Sequence, residues 1–308
     1  MDKPNQNIPF FSEEDVRRHL PFETLIPAIR DALMAFSAGT LQQPVRTVLR
    51  IAPQGGWFGV MPAVMGDVFG AKLVTFFPNN AGRLPTHMAT IQLFRAASGE
   101  PLAILDGRLI TEMRTAAVSA VATDLLAPQK TPVLALLGSG VQARSHLEAL
   151  RLVRRFEEVR VWSRTEAHAR RFAEETGARV ADTAEDAVRD AAVIVTVTSS
   201  GEPVLRGEWL APGAYVNAVG AVGPDRRETD DAVMQGRIVV ESRAAAEVES
   251  GDILLAGATI FAELGELLAN PERIVPGPRF VFKSLGIAVE DLAAAVLVIR
   301  QSGILAVG

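Results

Sequence analysis

The segment "PVLALLGSGVQARSHLEALRLV", residues 132–153, restricts the fold more than any other. An apolar run, Val133 to Leu137, leads without alternation into Gly138-Ser139-Gly140-Val141-Gln142-Ala143, and a helical pattern follows. An unbroken apolar run implies a strand covered on both faces, as in parallel sheets. The same texture returns downstream in "EVRVWSRT", "AVIVTVTSS", "GAYVNAVGA", "GRIVVES" and "RFVFKSLG", with helical patterns such as "EAHARRFAEETG" among them. Strands alternating with helices predict an α/β fold. Residues 118–288 therefore read as a Rossmann-type, doubly wound parallel-sheet domain.

The chain before this point has a different grain. "SEEDVRRHLPFETLIPAIRDALMAFSAG" predicts two helices broken near Pro21, with Ser12 as a cap. "PVRTVLRIA", "GWFGVMPAV", "GAKLVTFFP" and "HMATIQLFRAASGEPLAILD" predict strands, the last a hairpin turning at Ser98-Gly99. "LITEMRTAAVSAVATDLLA" predicts a long helix ending before Pro128. Residues 1–117 read as an α+β domain. The last helix, about 289–308, is expected to pack back on it.

The glycine segment follows a strand and opens a helix, the context a dinucleotide-binding loop requires. Gly138 would make the tight turn and Gly140 would let the backbone approach a pyrophosphate. Ala143 would allow close helix–sheet packing. Ser139, Val141 and Gln142 complete the loop. The alternative is a glycine turn that only packs strand on helix. The second strand discriminates between cofactors. NAD enzymes usually end it with an acid that binds the ribose 2′-hydroxyl. Here it ends in Ser163, Arg164 and Thr165, a guanidinium between two hydroxyls, which suits a 2′-phosphate. NADP(H) is favoured, NAD(H) is the alternative, and a solvated Arg164 is the plain structural explanation. Arg144 is a weaker second phosphate contact.

Composition excludes several classes. The net charge is −5 and no basic stripe is present, which argues against nucleic acid. The N-terminus has no apolar signal core, no apolar run reaches the length of a membrane span, and a cytoplasmic location is expected. Without cysteine there are no disulfides, thiolate metal ligands or cysteine nucleophiles, and no metal site is expected. Lysine occurs only at positions 3, 72, 130 and 283. Lys72 and Lys283 stand inside apolar runs, an unusual setting for a solvated charge.

"GSGVQA", "LDGRLITEMRTAAVSAVAT", "ESGDI" and "FKSLGIAVED", in this order, resemble the ornithine cyclodeaminase/μ-crystallin family over nearly the whole chain. The resemblance implies a homodimer built through the first domain, a nicotinamide cofactor on the second and a substrate in the cleft between them. Arg46, Lys72 and Arg114 match the basic groups that grip the substrate α-carboxylate; for Lys72 the alternative is a lysine lying across a strand edge. Three such cations would repel one another without an anion. Met61 matches a pocket-lining position. Asn217 and Gly220 are expected near the nicotinamide, and Lys283 and Ser284 near the cofactor, with strand packing the alternative for the last two. His87 is either near the cleft or a hydrogen-bonded core histidine.

Two departures from the family's cyclodeaminases set the activity expected. They carry an Asp two residues after the glycine matching Gly220; here that position is Val222. They carry a Glu three residues before the proline matching Pro62; here that position is Gly59. The first acid does proton transfer and the second holds the distal amine of ornithine. Asp225 and Glu228, beyond Pro224, read as loop and helix-cap residues. The resemblance therefore implies an NAD(P)H-dependent reductase of cyclic ketimine carboxylates, with Val222 as pocket wall. A cyclodeaminase, an alanine dehydrogenase-like enzyme and a non-catalytic NADPH-binding protein are the alternatives.

Overall fold

The computed structural model describes residues 7–80 and 83–304. Lys3 lies outside them. The chain divides into two compact units, residues 1–114 with 287–308 and residues 115–286.

The first unit contains β1 (Phe10–Phe11), α1 (Glu13–His19), α2 (Phe22–Ser37), β2 (Thr47–Ile51), β3 (Gly56–Met65), β4 (Val68–Phe76), β5 (His87–Arg95), β6 (Pro101–Asp106) and the start of α3 (Gly107–Leu126). Ser12 caps α1 in a reciprocal box with Asp15, as its spacing predicts. The strands form a sheet ordered β1-β6-β5-β4-β3-β2, antiparallel except for β1 on β6. A two-residue strand has no periodicity, so β1 was not foreseeable from pattern. The closing helix packs on α2 and across β3, β4 and β5. It spans Ala288–Gln301 and is α11 in the numbering below. Leu25, Ile29, Leu33, Ile91, Leu292 and Ile299 are fully buried. Each such side chain contributes roughly 1.5–3 kcal/mol by leaving water.

The second unit contains the rest of α3, then β7 (Val133–Leu137), α4 (Val141–Val153), β8 (Glu158–Trp162), α5 (Glu166–Thr176), β9 (Arg179–Val180), α6 (Ala184–Val188), β10 (Val193–Thr196), β11 (Tyr215–Ala218), α7 (Asp231–Met234), β12 (Arg237–Val240), α8 (Arg243–Glu249), α9 (Gly251–Ala256), β13 (Ile260–Glu263), α10 (Leu264–Ala269) and β14 (Phe280–Lys283). All its strands are parallel, in the order β13-β12-β14-β11-β10-β7-β8-β9. The apolar runs become strands buried at every position in β10, β11 and β14, which explains why they do not alternate. Strand order reverses between β7 and β10. In a doubly wound sheet this switch point opens the ligand crevice at the carboxyl ends of the strands. The glycine loop follows β7 and so sits there.

Candidate active site

In the first unit, residues 59 and 61 of β3 and residues 72 and 74 of β4 alternate onto one face of the sheet. Met61 is the direct register partner of Lys72. Met61 is 3% exposed and Lys72 is 2% exposed, so Lys72 does not snorkel along a strand edge. Its Nζ lies 2.8 Å from Asp291 Oδ1 and 2.7 Å from Oδ2. Arg114, on α3, is also buried. Its Nε donates to Asp291 Oδ1 at 3.0 Å and its Nη1 to Glu290 Oε2 at 2.9 Å. Arg46 lies just before β2, half-buried, close enough to act electrostatically on Lys72.

The cluster the resemblance implied is therefore assembled, with one correction. Lys72 and Arg114 do not wait for an anion to relieve their repulsion, because Asp291 and Glu290 at the start of α11 already neutralise them. Burial is the largest influence on Lys72 and lowers its pKa to about 8; Asp291 opposes this, and Arg114 and Arg46 reinforce it. Gly59 carries no polar handle, and its surroundings are tight. A Cβ there would sit 3.1 Å from both the Trp57 ring and Val74 Cγ1. His87 is exposed rather than a core residue, and its ring packs on Phe76 with centroids 4.5 Å apart.

In the second unit, Gly138 has φ +116°, and a Cβ would meet the Val197 carbonyl oxygen at 2.6 Å. Only glycine fits this turn. Gly140 is the N-cap of α4 and has no protein atom within 4 Å of a would-be Cβ. No side chain caps the helix. Gln142 Oε1 is buried without a hydrogen-bond partner among the described residues. Ser139 and Ala143 are buried and Val141 is exposed. An open glycine face at an uncapped helix N-terminus fits a pyrophosphate.

At the end of β8, the side chains of Ser163, Arg164 and Thr165 make no hydrogen bond or ion pair among the described residues, and Arg164 is exposed. All three are available to a ligand. Arg144 is not. It bonds Glu175 and donates to the carbonyl oxygens of Ser139 and Gly140 at 2.8 and 3.2 Å. It braces the glycine loop instead of awaiting a phosphate.

The side chains of Asn217, Lys283 and Ser284 all have partners within the protein. The Asn217 amide donates to Thr123 Oγ1 at 3.0 Å and accepts from Tyr215 Oη at 2.9 Å, and its backbone runs within the sheet between β10 and β14. Lys283 pairs with Asp252 at 2.8 Å, and Ser284 Oγ donates to Glu241 at 2.7 Å. Both side chains are buried and engaged within the protein. Gly220 carries no side chain because the Thr198 backbone and Glu228 occupy its Cβ position. Glu228 lies in a loop, as read, but is wholly buried. Val222 is 40% exposed.

The model of the ornithine cyclodeaminase/mu-crystallin family matches residues 8–302. The chain belongs to this family. It is 48% identical over 299 residues to the ketimine reductase mu-crystallin of Mus musculus, covering 94% of this chain and 96% of that protein. The Δ1-pyrroline-2-carboxylate reductase of Thermococcus litoralis, solved with NADH and L-proline, superimposes with a TM-score of 0.89 at 30% identity, covering 96% of this chain and 97% of that one. An archaeal alanine dehydrogenase dimer with bound NAD has the same TM-score and identity, with 98% of each chain covered. No helix among the described residues is long and apolar enough to cross a membrane.

Proposed function

We propose that this protein reduces Δ1-pyrroline-2-carboxylate or Δ1-piperideine-2-carboxylate to L-proline or L-pipecolate, with NADPH favoured over NADH. The observation that carries this reading is the buried pair of cations Lys72 and Arg114, set on Asp291 and Glu290, in a chain with no acid at positions 59 and 222. The names of the mouse and Thermococcus relatives support the same chemistry.

Arg46, Lys72 and Arg114 hold the substrate carboxylate. Asp291 and Glu290 hold the lysine and arginine in place beforehand, so little ordering remains when substrate binds. A bound nicotinamide dinucleotide supplies the hydride. The cyclic imine enters as its iminium, with the proton already on nitrogen, so the protein need not deliver one to it. Val222 can neither donate nor accept a proton, which suits reduction and not the loss of an amine. The open face of Gly140 and the N-terminus of α4 receive the pyrophosphate, and Ser163, Arg164 and Thr165 receive the 2′-phosphate.

We further propose a homodimer through the first unit. Its edge strand β2 exposes Val48 (47%) and Leu49 (55%), an apolar edge that chains normally protect.

The discriminating assay is ammonia. L-Ornithine should release none, because no side chain at positions 59 or 222 handles its amines. Release of ammonia from ornithine would overturn the reading in favour of cyclodeamination. Ammonia-dependent oxidation of NADPH with pyruvate, faster than imine reduction, would overturn it in favour of an alanine dehydrogenase.

A further inference from the structure

The ESGDI and FKSLG motifs meet at the carboxyl edge of the parallel sheet, under the loop that carries Val222. Lys283, the last residue of β14, donates from Nζ to the Ala221 carbonyl oxygen at 2.6 Å and pairs with Asp252 Oδ2 at 2.8 Å. Asp252 Oδ1 accepts from the backbone N–H of Glu228 at 3.0 Å and of Thr229 at 2.9 Å, and from Thr229 Oγ1 at 2.6 Å. Glu228 accepts from Thr196 Oγ1 at 2.8 Å and, at 2.6 Å each, from Thr198 N–H, Thr198 Oγ1 and Gly220 N–H. Gly223 donates to the Glu249 carbonyl at 2.9 Å and accepts from Gly251 N–H at 3.0 Å. Glu228, Asp252 and Lys283 are fully buried.

The pattern has a direction. Residues 220, 221 and 223 are each fastened through the backbone, and between them the Val222 side chain is left exposed. Buried charges are retained only where partners satisfy them, and removal of one partner is costly. Here the partners belong to one loop of the catalytic sheet edge.

We propose that Glu228, Asp252 and Lys283 are positioning residues that lock the Val219–Gly223 loop and so fix where the side chain at position 222 stands. The kinetic part of the test rests on the reading of position 222 given above; the lock itself does not.

The test uses the full chain and the variants Glu228→Gln and the paired Asp252→Asn/Lys283→Met, which removes both charges of the ion pair at once. In Glu228→Gln an amide N–H2 must face the N–H of Gly220 or Thr198, so the loop loosens. Hydrogen exchange in peptides covering residues 218–229 should quicken about 10-fold or more, with residues 133–143 unchanged. The Kd for NADPH should stay within about 3-fold. The kcat for Δ1-pyrroline-2-carboxylate should fall about 10- to 100-fold, with little change in KM, as expected of a sub-ångström misplacement near the chemistry. Unchanged exchange in both variants would overturn the lock. So would a uniform rise in exchange across the unit with parallel losses in Kd, KM and kcat, which marks a merely structural role. Absence of imine turnover by the wild type would defeat the proposed function, and the exchange measurement would still decide the lock.

Discussion

Lys72 shows how one residue links burial to function. Its amine is charged below about pH 8 and neutral above it. A carboxylate substrate should therefore bind well up to that pH and lose affinity beyond it. KM is expected to climb as pH passes 8, and Lys72→Met should raise KM about 10- to 100-fold at pH 7 and abolish the climb. Stability responds in the opposite direction. Between about 8 and the ordinary 10.5 the unfolded chain holds a proton that the folded chain has released, so this lysine makes the protein more stable as pH rises through that window. Arg164 gives a second residue-scale prediction. Arg164→Ala should weaken NADPH about 10-fold while leaving NADH within about 2-fold, measured by fluorescence titration. Equal losses for both cofactors would remove the 2′-phosphate assignment. The lysine was conspicuous in the sequence because it interrupts an apolar run. Its partner was not. Asp291 is 219 positions away and reads as an ordinary first-turn acid of α11. Long-range pairing leaves no local trace; Lys283, like Lys72, stood out in an apolar run, but its partner Asp252 and the neighbouring Glu228 did not.

At the scale of elements, the glycine loop was legible because each of its residues answers a local demand. Gly138 needs its backbone angle, Gly140 needs an empty flank, and Ala143 needs to be small. The seam between α3 and α4 was not legible. His146, fully buried on α4, bonds the Gln142 carbonyl through Nδ1 at 2.7 Å and Ser119 Oγ through Nε2 at 2.9 Å. The carbonyl requires Nδ1 to carry the hydrogen, and Nε2 then accepts from the serine. Burial lowers the pKa of His146 to about 4. As pH falls from about 6.5 to 4, the unfolded chain takes up a proton that the folded chain refuses, and stability drops by up to about 3 kcal/mol. Chemical denaturation of wild type and His146→Gln across this range should show that pH-dependent difference. Parallel curves would mean that His146 is not kept neutral by the fold.

At the scale of the whole molecule, the alternation of apolar runs with helical patterns was enough to identify the doubly wound sheet, and the change of grain before it marked the α+β part. The short strands β1, β9 and β13 escaped because they are two to four residues long and lack a period. Self-association depends on surface, and exposed Val48 and Leu49 on β2 carry that prediction. The protein should run as a dimer by light scattering, and Leu49→Lys should shift it toward monomer. A wild-type monomer at micromolar concentration would contradict the assignment. The central claim is that these buried cations and an apolar side chain at position 222 make an imine reductase. Its most direct test is the initial rate of NADPH oxidation with Δ1-pyrroline-2-carboxylate and Δ1-piperideine-2-carboxylate, measured beside an L-ornithine control. The account predicts rapid oxidation with at least one imine, formation of the L-amino acid and a silent control. No oxidation with either imine, or ammonia from ornithine, would contradict it.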